Sequence, residues 1–181
     1  AFWTTEYDRR RPVPKRLDEL VIYEMHVDGL GAGKRDEAGN PLPGSFHDAV
    51  DLLDHLVELG VNAIELMPLT EAEGWSWGYG TSHYFAIEHS GGGPHRFKHF
   101  VRECHRRGIA VLVDVVYNHF IHDAERAQWM YDSNTHTTNV YYWYQGKPSD
   151  WARPEGGYLS NGSSGATPNF RSEMVRQLFI S

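Results

Sequence analysis

The sequence has almost no cysteine and no long apolar run. Cys104 is the single cysteine among 181 residues, so no disulfide can form within the chain and a reducing compartment is permitted. Because Cys104 lies among apolar positions of a predicted helix, we expect a buried structural thiol rather than a nucleophile. No stretch approaches the roughly 20 apolar residues of a membrane span, and no signal-peptide pattern is present. These absences predict a cytoplasmic protein with no membrane partner.

Positive charge is scarce as well. The chain has 17 Lys and Arg against 24 Asp and Glu, a formal net charge of −7. This balance argues against nucleic acid and against an anionic membrane surface as partners. The basic cluster Arg9, Arg10 and Arg11 is short and is followed by Pro12, so we interpret residues 1–20 as a linker from an upstream domain. The 40% of apolar residues are enough to bury the core of a globular protein.

Three apolar strands are predicted, over residues 20–27, 61–68 and 110–116. Their apolar residues are nearly continuous rather than alternating, which is typical of strands covered on both faces. The predicted loops cover residues 29–44, 69–93 and 120–168. A loop as long as the third is usually functional or forms a small subdomain of its own.

Helices are predicted after the first two strands. Ser45 is expected to cap the first helix, with Asp48 three residues later, and Gly60 to end it. The second helix is expected to begin at Pro94 and to end at Gly108. The buried positions are expected to be Ala49, Leu52, Leu53, Leu56 and Val57 in the first helix and Phe97, Phe100, Val101 and Cys104 in the second. A last helix is predicted from about Asn169.

Alternating strands and helices predict an α/β fold with a parallel sheet and right-handed crossovers. A doubly wound sheet often has a Gly-rich phosphate turn in a short βα loop, but these loops are long and have no G-x-G-x-x-G motif. A TIM (β/α)8 barrel fits better, because barrels build their sites from long loops after the strands. Residues 21–181 are therefore predicted to be the first three βα units of a truncated barrel, with an irregular insertion at 120–168.

A three-stranded piece of a barrel has unpaired strand edges and an uncovered face. We expect the remaining barrel segment, or a second copy of the chain, to cover them. The side chains that would otherwise meet water are expected to include Val21, Ile22, Ile64, Leu66, Val113 and Val115.

Polar and aromatic side chains follow the third strand, at the end where α/β barrels hold their chemistry. They are Asp114, Tyr117, Asn118 and His119. His119 could be a core histidine, a metal ligand with His122 and Asp123, or a donor to substrate, and its position favours the donor. A His-x-x-His spacing with no helix to align it is weak support for a metal. Asp114 could be a general acid, but between valines it more often orders the strand end, which we favour.

The loop after the second strand is rich in aromatic residues. It contains Glu73-Gly-Trp-Ser-Trp-Gly-Tyr79-Gly-Thr-Ser-His-Tyr-Phe-Ala86. An aromatic ring can pack on the C–H face of a pyranose while Tyr and Trp donate hydrogen bonds. The alternative is that the rings fold the loop on itself. For the cluster as a whole we favour a sugar site.

Several motifs occur together and in the order of one known family. They are Leu20-Val-Ile-Tyr-Glu-Met-His-Val27, Leu59-Gly-Val-Asn-Ala-Ile-Glu-Leu-Met-Pro68, Trp77-Gly-Tyr79, Glu103-Cys-His-Arg-Arg-Gly-Ile109 and Asp114-Val-Val-Tyr-Asn-His119. In these motifs the chain resembles the alpha-amylase superfamily, glycoside hydrolase family 13, on its branching-enzyme, isoamylase and maltooligosyl-trehalose trehalohydrolase side. The resemblance implies a retaining mechanism on α-glucosidic bonds, with an Asp nucleophile after strand four, a Glu acid/base after strand five and a second Asp after strand seven.

The resemblance also implies residue roles. Tyr79 resembles the tyrosine that stacks on the sugar at the cleavage subsite, and His119 the histidine that bonds its hydroxyls. Asp114 resembles the aspartate that supports the site, and Trp77, in the same motif as Tyr79, is predicted to bind substrate too. Asn118 matches a position that helps to bind calcium in many amylases, but no further ligands are identifiable. We therefore predict no metal site and no cofactor, with calcium near Asn118 as the alternative.

Two functions from different classes remain. The first is a fragment of a retaining enzyme, hydrolase or glucanotransferase, acting on α-1,4- or α-1,6-glucosidic bonds of an α-glucan or maltooligosaccharide. The second is a non-catalytic carbohydrate-binding half barrel that works only within an assembly. Retaining glycosidases need two carboxylates about 5–5.5 Å apart, and no segment of this sequence resembles the nucleophile or acid/base motif. We therefore predict that the catalytic residues lie beyond Ser181 and that the isolated chain is inactive.

Overall fold

The structure is a computed structural model that describes residues 8–72, 77–118 and 170–180. Within these ranges the chain forms two compact units. The first comprises residues 8–71 and 85–115, and the second comprises residues 72, 77–84, 116–118 and 170–180. The predicted insertion at 120–168 and residues 1–7 of the predicted linker lie outside the described residues.

The first unit is built on a parallel sheet of three strands. These are β1 (Ile22–Met25), β2 (Ala63–Leu66) and β5 (Ala110–Val113), in the order β1-β2-β5. Each strand pairs in parallel with its neighbour, with Ala63 opposite both Ile22 and Ala110. Parallel neighbours need a crossover connection, which a helix supplies here after each of the first two strands. The predicted order of strands and helices is confirmed.

Helices α1 (Phe46–Glu58) and α2 (Gly93–Arg106) pack against each other. The predicted cap of α1 forms, since the Asp48 carboxylate accepts hydrogen bonds from both the backbone N–H and the hydroxyl of Ser45, each at 2.8 Å. Gly60 ends the helix with a left-handed φ of 85°, a conformation that favours glycine. The predicted apolar positions of both helices are buried or half-buried, which confirms their periodicity.

The core lies between these helices and one face of the sheet. Its largest side chains are Phe46, Phe100, Leu53, Leu56, Ile64, Leu66 and Ile109. Cys104 is fully buried among them, and this burial raises the pKa of its thiol. The predicted burial of Cys104 is confirmed, and a thiol of raised pKa has little thiolate at neutral pH, which is consistent with a structural cysteine.

The side chains predicted to need a cover fall into two groups. The exposed ones are Val21, Ile22, Val113 and Val115, at 53, 48, 43 and 56%. The prediction was wrong for Ile64 and Leu66, which are 0% exposed. Both belong to β2, the central strand, and the helices cover their face of the sheet. The uncovered apolar surface therefore lies along the two outer strands.

The side chain of Arg107, just after α2, joins the two helices. Its Nε donates to Asp54 of α1 at 2.7 Å, and its Nη1 donates to Glu103 of α2 at 2.9 Å. Burial alone would raise the pKa of Glu103, but the hydrogen bond from Arg107 and the charge of Arg106 hold it below its ordinary value. Glu103 is therefore ionised at neutral pH and keeps its hydrogen bond to Arg107.

Two predictions of secondary structure were wrong in detail. Residues 69–93, predicted to be loop, contain a two-stranded sheet of β3 (Thr70–Ala72) and β4 (Thr81–Ile87). The last helix, α3 (Glu173–Ile180), begins four residues later than Asn169. The strands of the small sheet are separated by Trp- and Gly-rich sequence, so neither periodicity nor a short turn motif predicted their pairing. None of the described helices is long and apolar enough to cross a membrane.

Candidate functional site

Asp114 lies directly beyond β5, at the carboxyl end of the parallel sheet. Its backbone N–H donates to the carbonyl oxygen of Leu66 at 2.9 Å, which continues the pairing of β5 with β2 by one residue. The side chain is half-buried. Ends of parallel strands are the usual place for binding residues in α/β proteins, because the loops that follow them lie on one side of the sheet.

A second polar group, which the sequence motifs did not predict, follows β1. Asp28 begins a short 3-10 turn (Asp28–Gly31) and lies near His26 and Glu88. Burial raises the pKa of the Asp28 carboxyl, the charge of His26 opposes the rise, and the negative charge of Glu88 adds to it. The net effect is a pKa above the ordinary value. No motif signalled this group, because Glu88 comes from a distant part of the chain.

We expect Asp28→Asn to stabilise the protein at neutral pH. A folded-state pKa above the unfolded one means that protonated Asp28 contributes stability below the unfolded pKa, about 3.9, and that this contribution is lost as the pH rises through the folded pKa. Asparagine has no carboxyl group to ionise, so the variant does not lose stability in this way as the pH rises. The thermal midpoint of the variant should exceed that of the unchanged protein at pH 7, and the gain should shrink towards pH 4.

Asp36→Asn is the matched control for this experiment. Hydrogen bonds from the side chain and backbone of Asn40 lower the pKa of Asp36, so its ionised form is favoured by folding. Asp36→Asn should therefore lower the thermal midpoint at pH 7, whereas Asp28→Asn should raise it. A loss of stability with Asp28→Asn at pH 7 would contradict the raised pKa.

The loop before β4 presents Trp77 in an unusual conformation. Trp77 has a φ of 58°, the one positive φ among the described residues other than glycine, and Gly78 follows with 85°. A bulky residue in the left-handed region is strained by roughly 1–3 kcal/mol, and such strain is often kept where a side chain must face a ligand. The Trp77 side chain is 56% exposed. An exposed indole held in a strained turn is suited to contact a sugar face.

Tyr79 follows this turn and is half-buried, while the next two residues, Gly80 and Thr81, are buried. Further along β4, the ring of Tyr84 meets Phe179 of α3 edge to face, with centroids 5.4 Å apart and an interplanar angle of 80°. Phe179 also contacts Tyr117 and Phe170, with centroids 5.2 and 5.6 Å apart. We call Tyr84, Tyr117, Phe170 and Phe179 the Phe179 cluster.

The predicted site residues thus divide between the two units. Asp114 belongs to the first, and Trp77 and Tyr79 belong to the second. His119, with the alternative ligands His122 and Asp123, lies outside the described residues. Among residues 8–72, 77–118 and 170–180, no three His, Cys, Asp or Glu side chains gather as metal ligands would. The absence of a metal site stays a prediction, as does its alternative, calcium near Asn118.

A parallel sheet with crossover helices defines a domain of the α/β class. The model of the alpha-amylase catalytic domain matches residues 24–171. That match covers most of the chain, so the chain belongs to the alpha-amylase family, as its motifs predicted.

Curated relatives agree with this membership. The chain is 34% identical to isoamylase SU1, chloroplastic, of Zea mays, over 93% of its own length and 23% of that protein. It is 38% identical to the malto-oligosyltrehalose trehalohydrolase of Saccharolobus solfataricus, over 63% of this chain and 19% of that protein. It is 45% identical to the 1,4-alpha-glucan branching enzyme of Methylococcus capsulatus, over 64% of this chain and 15% of that protein. The chain therefore spans less than a quarter of the length of these relatives.

A solved structure supports the fold. The cyclic alpha-maltosyl-(1→6)-maltose hydrolase of Arthrobacter globiformis superposes with a TM-score of 0.68 and 25% identity, over 92% of this chain and 41% of the hydrolase. The parallel strands of this chain thus match part of a larger alpha-amylase barrel, which confirms the predicted fold class. The prediction that the chain contains three βα units and no more is not tested by this match.

Proposed function

We propose that this chain is the sugar-binding part of a retaining α-glucan-active enzyme that cleaves or transfers α-1,4- or α-1,6-glucosidic bonds. The match of the alpha-amylase catalytic domain over residues 24–171 carries the proposal. The names of the relatives support it, since they are an isoamylase, a malto-oligosyltrehalose trehalohydrolase and a 1,4-alpha-glucan branching enzyme. The substrate is an α-glucan or a maltooligosaccharide.

In this proposal the residues of the chain bind and orient the sugar. Tyr79 stacks on the sugar ring, and Trp77 gives a second aromatic contact from its strained turn. His119 donates hydrogen bonds to sugar hydroxyls, and Asp114 orders the end of the strand that precedes it. Fixing a sugar ring against the reacting groups lowers the entropic part of the barrier, which is how binding residues contribute to rate.

The bond-breaking step uses carboxylates that we place outside this chain. In a retaining mechanism one carboxylate attacks the anomeric carbon while a carboxylic acid protonates the departing glucosidic oxygen. The same acid, now ionised, then deprotonates a water molecule or a sugar hydroxyl, which releases the covalent glucosyl group. Hydrolysis and transfer differ only in which of these acceptors attacks.

The exposed outer strands support a further part of the proposal. Ile22 of β1 and Val113 of β5 are about half exposed, as are Val21 and Val115 beside them. Covering a side chain of this kind stabilises a protein by about 1.5–3 kcal/mol when burial is complete. We propose that the remaining segment of the barrel covers these strands, or else a second copy of the chain.

The cytoplasmic location of the protein stays a prediction.

Tyr79→Ala tests the proposed sugar contact. In the protein that carries this chain with the rest of its barrel, kcat/KM for a maltooligosaccharide should fall about 2- to 13-fold. This is the effect of losing an aromatic contact of about 0.5–1.5 kcal/mol, and the loss is larger if the ring also orients the sugar. Initial rates across a concentration series provide the measurement.

Phe85→Ala is the matched control for Tyr79→Ala. Phe85 lies on β4, a few residues beyond Tyr79, and its side chain is 65% exposed. Removing its ring takes a similar aromatic surface from the strand that follows Tyr79, and we expect kcat/KM to be unchanged. Equal losses in the two variants, or none with Tyr79→Ala, would contradict the assignment.

A further inference from the structure

The Phe179 cluster includes none of the residues proposed to contact the sugar, and Phe179 is at its centre. It contacts three other rings, and each centroid distance lies between 5.2 and 5.6 Å. These distances, with interplanar angles of 59 to 80°, are those of favourable edge-to-face and tilted pairs. Three such contacts on one ring hold their partners in defined relative positions.

The cluster joins three segments of the second unit. Tyr84 belongs to β4, Tyr117 comes shortly after β5, and Phe170 precedes α3. Phe179 itself lies one helical turn after Val175, which is 2% exposed. Residues four apart lie on the same side of a helix. The buried Val175 therefore holds the side of α3 from which Phe179 reaches the other rings.

Four residues connect Tyr79 to Tyr84, and the first two of them are buried. Gly80 and Thr81 are both buried, and Thr81 is 0% exposed. Residues 81–84 also belong to β4, which pairs with β3, so hydrogen bonding and packing together restrict the movement of this segment. A displacement of the Tyr84 ring therefore displaces the backbone that carries Tyr79.

We infer that Phe179 is a positioning residue for Tyr79, acting through the edge-to-face contact with Tyr84. Phe179 does not touch the sugar in this scheme. It fixes β4 so that the Tyr79 ring is presented in one orientation, and in its absence the ring samples orientations that stack poorly. The inference rests on the proposed function, since it assumes that Tyr79 contacts the substrate.

A double-mutant cycle tests this inference in the protein that carries the rest of the barrel. Phe179→Leu keeps an apolar side chain but removes the ring, and it is introduced both with Tyr79 present and into Tyr79→Ala. With Tyr79 present we expect kcat/KM for a maltooligosaccharide to fall several-fold. In the Tyr79→Ala protein the same change should have almost no effect, because the group that Phe179 positions is gone. Phe179→Tyr, which keeps the ring, should restore most of the activity.

A merely structural role gives a different result. If Phe179 only supports the fold, its replacement lowers the thermal midpoint and reduces kcat/KM by the same factor in both backgrounds. That outcome overturns the inference, and so does an unchanged kcat/KM with Tyr79 present. Full activity in Tyr79→Ala alone instead contradicts the proposed function. The two failures are therefore distinguishable.

Two further variants complete the design. Tyr84→Leu removes the other ring of the same contact, and it should give the same dependence on Tyr79 if Phe179→Leu fails to fold. Ile180→Ala is the matched control on α3, since Ile180 is 75% exposed. It should leave kcat/KM unchanged in both backgrounds. A Tyr84→Leu loss that is independent of Tyr79 overturns the inference.

Discussion

The isolated chain of 181 residues is expected to show no turnover of amylose or maltooligosaccharides, whereas the protein that includes the rest of its barrel is expected to be active. The proposed mechanism needs two carboxylates about 5–5.5 Å apart, and no segment of this sequence resembles their motifs. A chain without both groups would have none of this chemistry, whatever sugar it bound. Release of reducing ends, and transfer of labelled glucan, measure the two forms of activity.

Among the described strands, one pair of carboxylates makes this a demanding test. Glu24 of β1 and Glu65 of β2 are in register, so they lie side by side on neighbouring strands whose backbones are roughly 4.7–4.9 Å apart. Turnover by the pure chain, once a contaminating amylase is excluded, would contradict the expected inactivity. If Glu65→Gln then abolished that turnover, the activity would belong to this pair.

Gly44→Ala is expected to be the most destabilising of the substitutions considered. A Cβ at residue 44 would lie 2.1 Å from the carbonyl oxygen of Val27 and 2.7 Å from the amide nitrogen of Gly31. Both are backbone atoms, so no side-chain rotation relieves the overlap. The Gly44 N–H also donates to the carbonyl oxygen of Asp28 at 2.8 Å, which holds the two segments at this separation.

The cost of this overlap should exceed the usual 1–3 kcal/mol of an overpacked site. Against a total stability of roughly 5–15 kcal/mol, such a loss lowers the thermal midpoint by several degrees or prevents folding. The change also affects the start of α1, because the next residue, Ser45, caps that helix. Denaturant unfolding followed by circular dichroism measures the effect.

Gly29→Ala is the matched control from the same loop. A Cβ there would come no closer than 3.7 Å to His26, an ordinary contact, and the φ of Gly29 is not in the left-handed region. We expect its unfolding free energy to change by less than about 0.5 kcal/mol. Equal midpoints for Gly44→Ala and Gly29→Ala would show that the segments around residues 27–31 and 42–44 do not cross as closely as the structure describes.

Much of the fold could be predicted from the sequence because it depends on local signals. The spacing of Ala49, Leu53 and Leu56 predicts a helix with one apolar face, and Ser45 with Asp48 predicts its first turn. Continuous apolar strands separated by helices predict a parallel sheet. Family membership was also predictable, since the motifs ending in Tyr79 and in His119 are short, local and ordered along the chain.

The tertiary structure alone decided how distant residues meet. Ile64 and Val113 are both apolar strand residues, but only Ile64 is buried, because β2 is central and β5 is at the edge. The left-handed turn at Trp77 and the contact of Tyr84 with Phe179 likewise have no local signature. Local periodicity reports which side of a segment is apolar, whereas the partner of that side depends on where the chain returns in space. The helices and strands therefore follow from the sequence by itself, and the environments of Asp28, Gly44 and Phe179 follow only from the packing of remote segments.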